Sequence, residues 1–363
     1  MKNAPSRIIT GAVILLLLTA CLPLRETTLP ISLPAATSTI NPRSVESGLE
    51  VIFTNPSDPR AHSYEGGPDI LLGDAIDAAQ LSVDMAAYSL NLWSIRDALI
   101  HAYKRGVDVR LVMESTNMDN QVIHELRDAG IEVLGDSHQG LMHNKFIIID
   151  RSDVWTGSMN YTTSGVYKDN NNLLHIRSRQ AAQDYTREFE EMFTKNRFGP
   201  EKTTGTPYPK VNLAGSPVEI YFSPQDQAGG RIVELLQGAQ ESVYFLAYSI
   251  TSNPIGSAIM ERAQAGLRVA GVMDDTQIKS NRGTEYDPFK QAGLDVVLDG
   301  NKAGLMHHKV IVIDQKIVIT GSYNFSSSAE NINDENIVII FSPVVAAKYI
   351  EEFQRVYTQA KGQ

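Results

Sequence analysis

Large parts of this chain are written twice. Glu50-Val51-Ile52-Phe53 is answered by Glu219-Ile220-Tyr221-Phe222, Ala87-Tyr88-Ser89 by Ala247-Tyr248-Ser249, and Leu141-Met142-His143 by Leu305-Met306-His307. The closing segments match as well, with Tyr185, Phe189 and Phe193 echoed by Tyr349, Phe353 and Tyr357. Two long copies in place of many short ones point to a duplicated domain, not a solenoid. A length of 363 residues accommodates two ordinary domains.

Within each copy the apolar period alternates between helix and strand. Leu72, Ile76 and Ala79 share one helical stripe, as do Ile95, Ala98, Leu99 and Ala102. Ile255, Ala258 and Ile259 repeat the latter behind Asn253-Pro254, which reads as a cap followed by proline in the first turn. Strand-like runs cover Leu81–Ala87, Val109–Met113 and Phe146–Ile149, with counterparts at Val243–Ala247, Val269–Met273 and Val310–Ile313. This alternation predicts an α/β fold: two duplicated α/β/α sandwich domains, each a buried sheet covered by helices on both faces. The domains are expected over residues 49–198 and 218–363. The break between them, 199–217, is punctuated by Pro200, Gly205, Pro207, Pro209, Gly215 and Pro217. The closing aromatics read as core, with no site attached.

The N-terminus reads as an address. Lys2 and Arg7 precede an apolar run from Ile8 to Ala20, short for a bilayer crossing of about 20 residues. Leu18-Thr19-Ala20-Cys21 then ends the run with small residues before the chain's one cysteine. The pattern resembles a bacterial lipoprotein signal, with residues 1–20 cleaved, Cys21 lipidated, and the Pro/Ser/Thr-rich stretch 21–48 a solvated tether. The alternatives are an ordinary signal peptide or an uncleaved anchor, and all three place the body outside the cytoplasm. Lipidation would hold it at the cell membrane. The formal charge of −10 offers polyanions no long-range attraction, although it permits a local cationic pocket.

The residues that carry chemistry stand at equivalent places in both copies. The first reads His143-Asn144-Lys145, four apolar residues, Asp150, six residues, then Gly157-Ser158-Met159-Asn160. The second reads His307-His308-Lys309, four apolar residues, Asp314, six residues, then Gly321-Ser322-Tyr323-Asn324. Residues two apart on a strand face the same side, so each histidine and lysine present imidazole and ammonium together. Asp150 and Asp314 have the opposite parity and suit a structural task, turning the chain or fixing a neighbour. Gly157 permits close backbone approach. Ser158 and Asn160 add neutral donors that could finish an anion cradle. Attack on a phosphodiester puts extra negative charge on the non-bridging oxygens, which fixed cations and amides stabilise. The reaction also needs a nucleophile and an acid. A neutral imidazole serves as the first and an imidazolium as the second. One copy supplies a single histidine, so a complete site requires both copies.

The pattern H-x-K-x4-D-x6-G-S-x-N, present twice, resembles the signature of the phospholipase D superfamily. The resemblance runs from about Leu49 to Lys361 and is closest to the compact branch of short bacterial endonucleases and mitochondrial-type phospholipases D. It implies two sandwich domains related by a pseudo-twofold, one shared active site at their interface, and a phosphohistidine intermediate without metal or cofactor. His143 would be the nucleophile, and His307 the acid that later activates water. Lys145, Lys309, Asn160 and Asn324 would hold the phosphate oxygens, supported by Ser158, Ser322, Asp150 and Asp314. The family usually places a carboxylate after each G-S-x-N to bond a catalytic histidine. Here the second copy has Glu335 and the first has Asn171 at the matching place. The two histidines are therefore expected to be unequal, because an amide stabilises an imidazolium less than a carboxylate does. The histidine that Glu335 serves is left open.

His308 points away from its neighbour and reads as a structural or rim residue. His62, His101, His124 and His138 match no metal-ligand spacing, and a lysine two residues from each motif histidine would repel a cation. Lys104-Arg105 suits a helix end. Hydrolysis of a phospholipid head-group ester is the leading expectation, given the acidic body and the expected lipid anchor. A DNA or RNA endonuclease is the alternative, and a non-catalytic phosphate-binding lipoprotein the second alternative. Transfer of the cardiolipin-synthase type is disfavoured. No obligate protein partner is implied.

Overall fold

The computed structural model describes residues 48–362 and Met1. The expected leader, its Cys21 and the tether up to residue 47 lie outside the described residues. No helix among the described residues is long and apolar enough to cross a membrane.

The first copy builds seven strands: β1 (Leu49–Phe53), β2 (Ser82–Ala87), β3 (Asp108–Met113), β4 (Glu132–Gly135), β5 (Lys145–Ile149), β6 (Asp153–Gly157) and β7 (Asn172–Arg177). They lie side by side in the order β1-β7-β6-β5-β2-β3-β4. The second copy builds β8 (Lys210–Leu213), β9 (Ser216–Ser223), β10 (Ser242–Ala247), β11 (Arg268–Met273), β12 (Asp295–Leu298), β13 (Lys309–Ile313), β14 (Ile317–Gly321) and β15 (Glu335–Phe341). Their order, β12-β11-β10-β13-β14-β15-β9-β8, is the first sheet repeated with one strand added at its edge. That extra strand arises inside the segment read as a break, where residues 210–213 pair with 216–219 across a tight turn.

The central strands β2, β5, β10 and β13 are buried along their whole length, because helices cover both faces of each sheet. Leu72, Ile76, Ile95, Ala98, Leu99 and Ala102 pack as one stripe against the first sheet, and Ile255, Ala258 and Ile259 repeat the contact on the second. One local expectation is corrected. The helix Asn253–Gln264 starts one residue earlier than the cap reading implied, with Ser252 at the cap position and Pro254 within the first turn. Asn253 has already taken helical form, so its side chain is not the cap.

Asp150 and Asp314 occupy the turns of the β5–β6 and β13–β14 hairpins, with φ near +51° at both. Aspartate tolerates that left-handed conformation better than most residues. Each carboxylate collects three backbone N–H groups from the strand start alongside: Gln80, Leu81 and Ser82 bond Asp150, and Gln240, Glu241 and Ser242 bond Asp314. They fasten hairpins and lie away from the reacting groups. At the other ends of β6 and β14, Gly157 and Gly321 have φ of 144° and 141°. A Cβ there would come within 2.4 Å of the Asn172 carbonyl oxygen and 2.2 Å of the Asn336 one, which only glycine avoids.

Candidate active site

The histidines lie where the two sheets are sewn together. The His143 amide donates to the Asp334 carbonyl at 3.0 Å, and the His307 amide donates to the Asn170 carbonyl at 2.9 Å. The reverse bonds, Asp334 to Leu141 and Asn170 to Leu305, complete two short parallel bridges between the copies. Each motif histidine is therefore positioned by the segment preceding the last strand of the opposite half.

The side chains cross in the same way. His143 Nδ1 lies 2.8 Å from both carboxylate oxygens of Glu335, and His307 Nδ1 lies 2.9 Å from Asn171 Oδ1. The serines of the two motifs secure these partners. Ser322 donates to Glu335 at 2.6 Å and Ser158 donates to Asn171 Oδ1 at 2.8 Å. Asn171 Nδ2 donates to the Gly165 carbonyl at 2.9 Å, which fixes the amide so that its oxygen faces His307. That oxygen can only accept, so His307 carries its hydrogen on Nδ1 and leaves Nε2 for proton traffic. The carboxylate of Glu335 imposes the same tautomer on His143. The open question of which histidine Glu335 serves is resolved: it is His143, 192 positions away.

Lys145 and Lys309 are both fully buried, and each ammonium donates to the carbonyl of its own motif histidine at 2.8 Å. Tyr88 and Tyr248 complete the shell. Their rings meet His143 and His307 edge-on at 4.9 and 4.7 Å, and lie under Lys145 and Lys309 at 5.0 and 4.6 Å. These tyrosines were not read as site residues, although their recurrence in both copies was visible. The carboxamide oxygens of Asn160 and Asn324 are buried with no hydrogen-bond partner among the described residues. An unpaired buried acceptor costs about 1–3 kcal/mol. Two in equivalent places suit a site built to be filled, since a half-turn of either amide would offer NH2 to an anionic oxygen.

Behind the site runs a second crossed network. Asn336 donates to Asn144 at 2.9 Å and accepts from Thr156 at 2.8 Å and Tyr185 at 3.2 Å. Asn172 donates to Thr320 and Tyr349, both at 3.0 Å. The closing tyrosines are core, as read, and their hydroxyls also help hold the halves in register. His308 is fully buried, bonded to Glu352 at 2.9 Å, so it is structural and not on the rim. Lys202, from the segment between the copies, is also buried, paired with Glu188 and with Asp334 at 2.7 Å.

A family model described as "Cardiolipin synthase, PLD-like domain" matches residues 72–193 and 232–357. The chain belongs to the phospholipase D superfamily. Each matched segment contains one complete motif, and this superfamily member is a hydrolase of phosphodiester bonds. It is 34% identical over 146 residues to a protein named Phospholipase D from Rickettsia prowazekii, covering 40% of this chain and 70% of that one. It is 29% identical over 131 residues to Mitochondrial cardiolipin hydrolase of Chlamydomonas reinhardtii, covering 36% and 58%. The solved phosphatidylserine synthase of Haemophilus influenzae Rd KW20 covers 86% of each chain with a TM-score of 0.61 at 12% identity, a likeness of fold.

The electrostatics of the site follow from burial. Desolvation, then the ammoniums of Lys145 and Lys309, hold His143 well below its usual 6.5. Desolvation, then Lys309 and Lys145, do the same to His307. Burial brings Lys145 down to about 7 and Lys309 well below 10.5, and pushes Glu335 up to about 8. Burial therefore disfavours charge on these groups. An anion bound between the lysines favours their protonated forms and raises their pKa values. Above pH 7, ligand binding must then take up protons. Titration of the protein with tungstate at pH 8 in buffers of different ionisation enthalpy is expected to show net proton uptake. A binding enthalpy independent of buffer would refute this account of the lysines.

Proposed function

We propose that the chain is a metal-independent phospholipase D acting through a phosphohistidine. His143 Nε2 attacks phosphorus and the bond to the head-group oxygen breaks. The bound anionic diester favours the imidazolium form of His307, which gives its Nε2–H proton to that leaving oxygen. Water, deprotonated by His307, then attacks phosphorus, the P–N bond breaks, and phosphatidic acid departs. Lys145, Lys309, Asn160 and Asn324 hold the non-bridging oxygens, and Ser158 and Ser322 fix the partners of the two imidazoles. The observation that carries this reading is the crossed pairing, Glu335 on His143 and Asn171 on His307. It provides two buried imidazoles of unlike basicity, as a nucleophile and an acid require. With the diester bound, Lys145 and Lys309 as ammoniums supply the positive charge that a metal would otherwise bring.

A phospholipid substrate is favoured over nucleic acid by the charge of −10 and by relatives named for phospholipid and cardiolipin cleavage. Anchoring through a lipidated Cys21 outside the cytoplasm belongs to the same reading and rests on the leader sequence. Mass spectrometry of the membrane form should find residues 1–20 removed and a diacylglyceryl group on Cys21. The activity test is direct. With EDTA present, labelled phosphatidylcholine and ethanol should yield phosphatidylethanol. Nicked plasmid or shortened single-stranded DNA in place of lipid product would move the protein to the endonuclease reading. No cleavage of either would leave phosphate binding.

A further inference from the structure

The shared site is nearly symmetric at its centre and unlike on its two flanks. In the first half a cavity of about 490 Å³ is lined by Tyr64, Asp69, Leu92, Trp93, Thr163 and Tyr167, among others. It is tied to the reacting centre through the chain. Tyr88, whose ring meets His143, lies three residues before Asn91 in the groove wall, and Leu90 bridges Tyr161, the neighbour of Asn160. Trp93 is 61% exposed, and Ile70 and Leu71, on the adjoining helix Asp69–Asp77, are 48% and 49% exposed. Large apolar side chains turned to water beside a site mark a contact surface. The repeat offset puts Ser252, Asn253 and Asn331 where the first half has Leu92, Trp93 and Tyr167, and puts Gly230 and Arg231 where it has Ile70 and Leu71. At these positions the second flank lacks the apolar side chains of the first.

The charge of the groove selects among diesters. No lysine or arginine is found among its described lining residues, and its charged residue is Asp69. That carboxylate is buried and accepts from Tyr167 Oη at 2.8 Å and Ser94 Oγ at 2.7 Å. The nearest guanidiniums are already paired, Arg96 over the Trp93 ring with Asp97 and Glu125, and Arg60 with Asp58, so a polynucleotide would bring closely spaced phosphates against this carboxylate with no unpaired cation in the groove lining to receive them. Glycerol and acyl chains bring no charge, and tryptophan and tyrosine suit the boundary between head groups and hydrocarbon.

We propose that the Tyr64–Trp93–Tyr167 groove and its Ile70–Leu71 rim are where the enzyme meets a phospholipid surface and take the diacylglycerol side of the diester. The proposal rests on the phospholipase reading above and adds a direction to it. In-line displacement puts the leaving oxygen opposite His143, beside His307. The flank of the second half then faces the head group, and the apolar flank of the first half faces the bilayer.

The test uses the full chain, whose other tryptophan, Trp155, is 3% exposed and stacked on His175, so a change in emission reports Trp93. Dioleoylphosphatidylcholine vesicles should shift the emission to the blue, and Trp93→Gln should remove the shift. Trp93→Gln and Tyr64→Ala should each lower kcat/KM on those vesicles by about tenfold, as expected for losing one large apolar contact. Turnover of soluble bis(4-nitrophenyl) phosphate should stay within about twofold, which also shows that the variants fold. Equal losses on both substrates, undiminished vesicle activity, or no spectral shift would overturn the proposal. Failure of the phospholipase reading is seen separately, in a wild-type chain that cleaves single-stranded DNA and no phospholipid.

Discussion

His143→Ala is expected to lower kcat by at least about 10³-fold, and His307→Ala to arrest the reaction partway. The first variant lacks the attacking nitrogen and forms no covalent species. The second keeps the nucleophile with its Glu335 partner and loses the group that activates water. With a diester whose leaving group needs little protonation, such as a nitrophenyl ester, it should accumulate an acid-labile, base-stable phosphoryl adduct. Digestion and mass spectrometry should place that adduct on His143. An adduct on His307 in a His143→Ala background would exchange the two assignments. Substantial turnover by either single variant would mean that each half works alone, which the crossed hydrogen bonds argue against.

The second large effect is at the unlike partners. Glu335→Gln retains shape but removes the charge beside His143 Nδ1, and kcat should fall by about 10²–10⁴-fold with little change in KM, as when a triad carboxylate becomes an amide. Asn171→Asp makes the opposite change beside His307. An added carboxylate stabilises the imidazolium and raises its pKa, so the alkaline limb of the kcat profile should move to higher pH. The pH–rate profiles of the two variants separate these roles from loss of fold. An unchanged alkaline limb in Asn171→Asp would remove His307 from the acid's role.

Much of this architecture was legible because the chain repeats itself. The alternating apolar runs identified the central strands, and the motif spacing put His143 with Lys145 and His307 with Lys309. What could not be read depends on contacts between distant segments. Glu335 and His143 are far apart in the chain, and no local period records which half a carboxylate will face. The hydroxyls of Tyr185 and Tyr349 were hidden by an aromatic period that explains their rings as core and says nothing of the polar tip. Lys202 was hidden by the prolines and glycines around it, which signal a connector and mask a side chain that drops into the seam. Ser252 took the cap position from Asn253 because boundary signals in polar runs are good only to a residue or two.

The exchange of partners between halves has an evolutionary consequence. In a symmetric pair of identical chains, any mutation beside one imidazole appears beside the other as well. Such an ancestor could carry two glutamates or two asparagines at this place, never one of each. A single chain that carries both copies is free of that constraint, and here the matching places hold Glu335 and Asn171. The cost is mutual dependence: neither half can now be lost, shuffled or paired with itself without misdirecting a ring that belongs to the other.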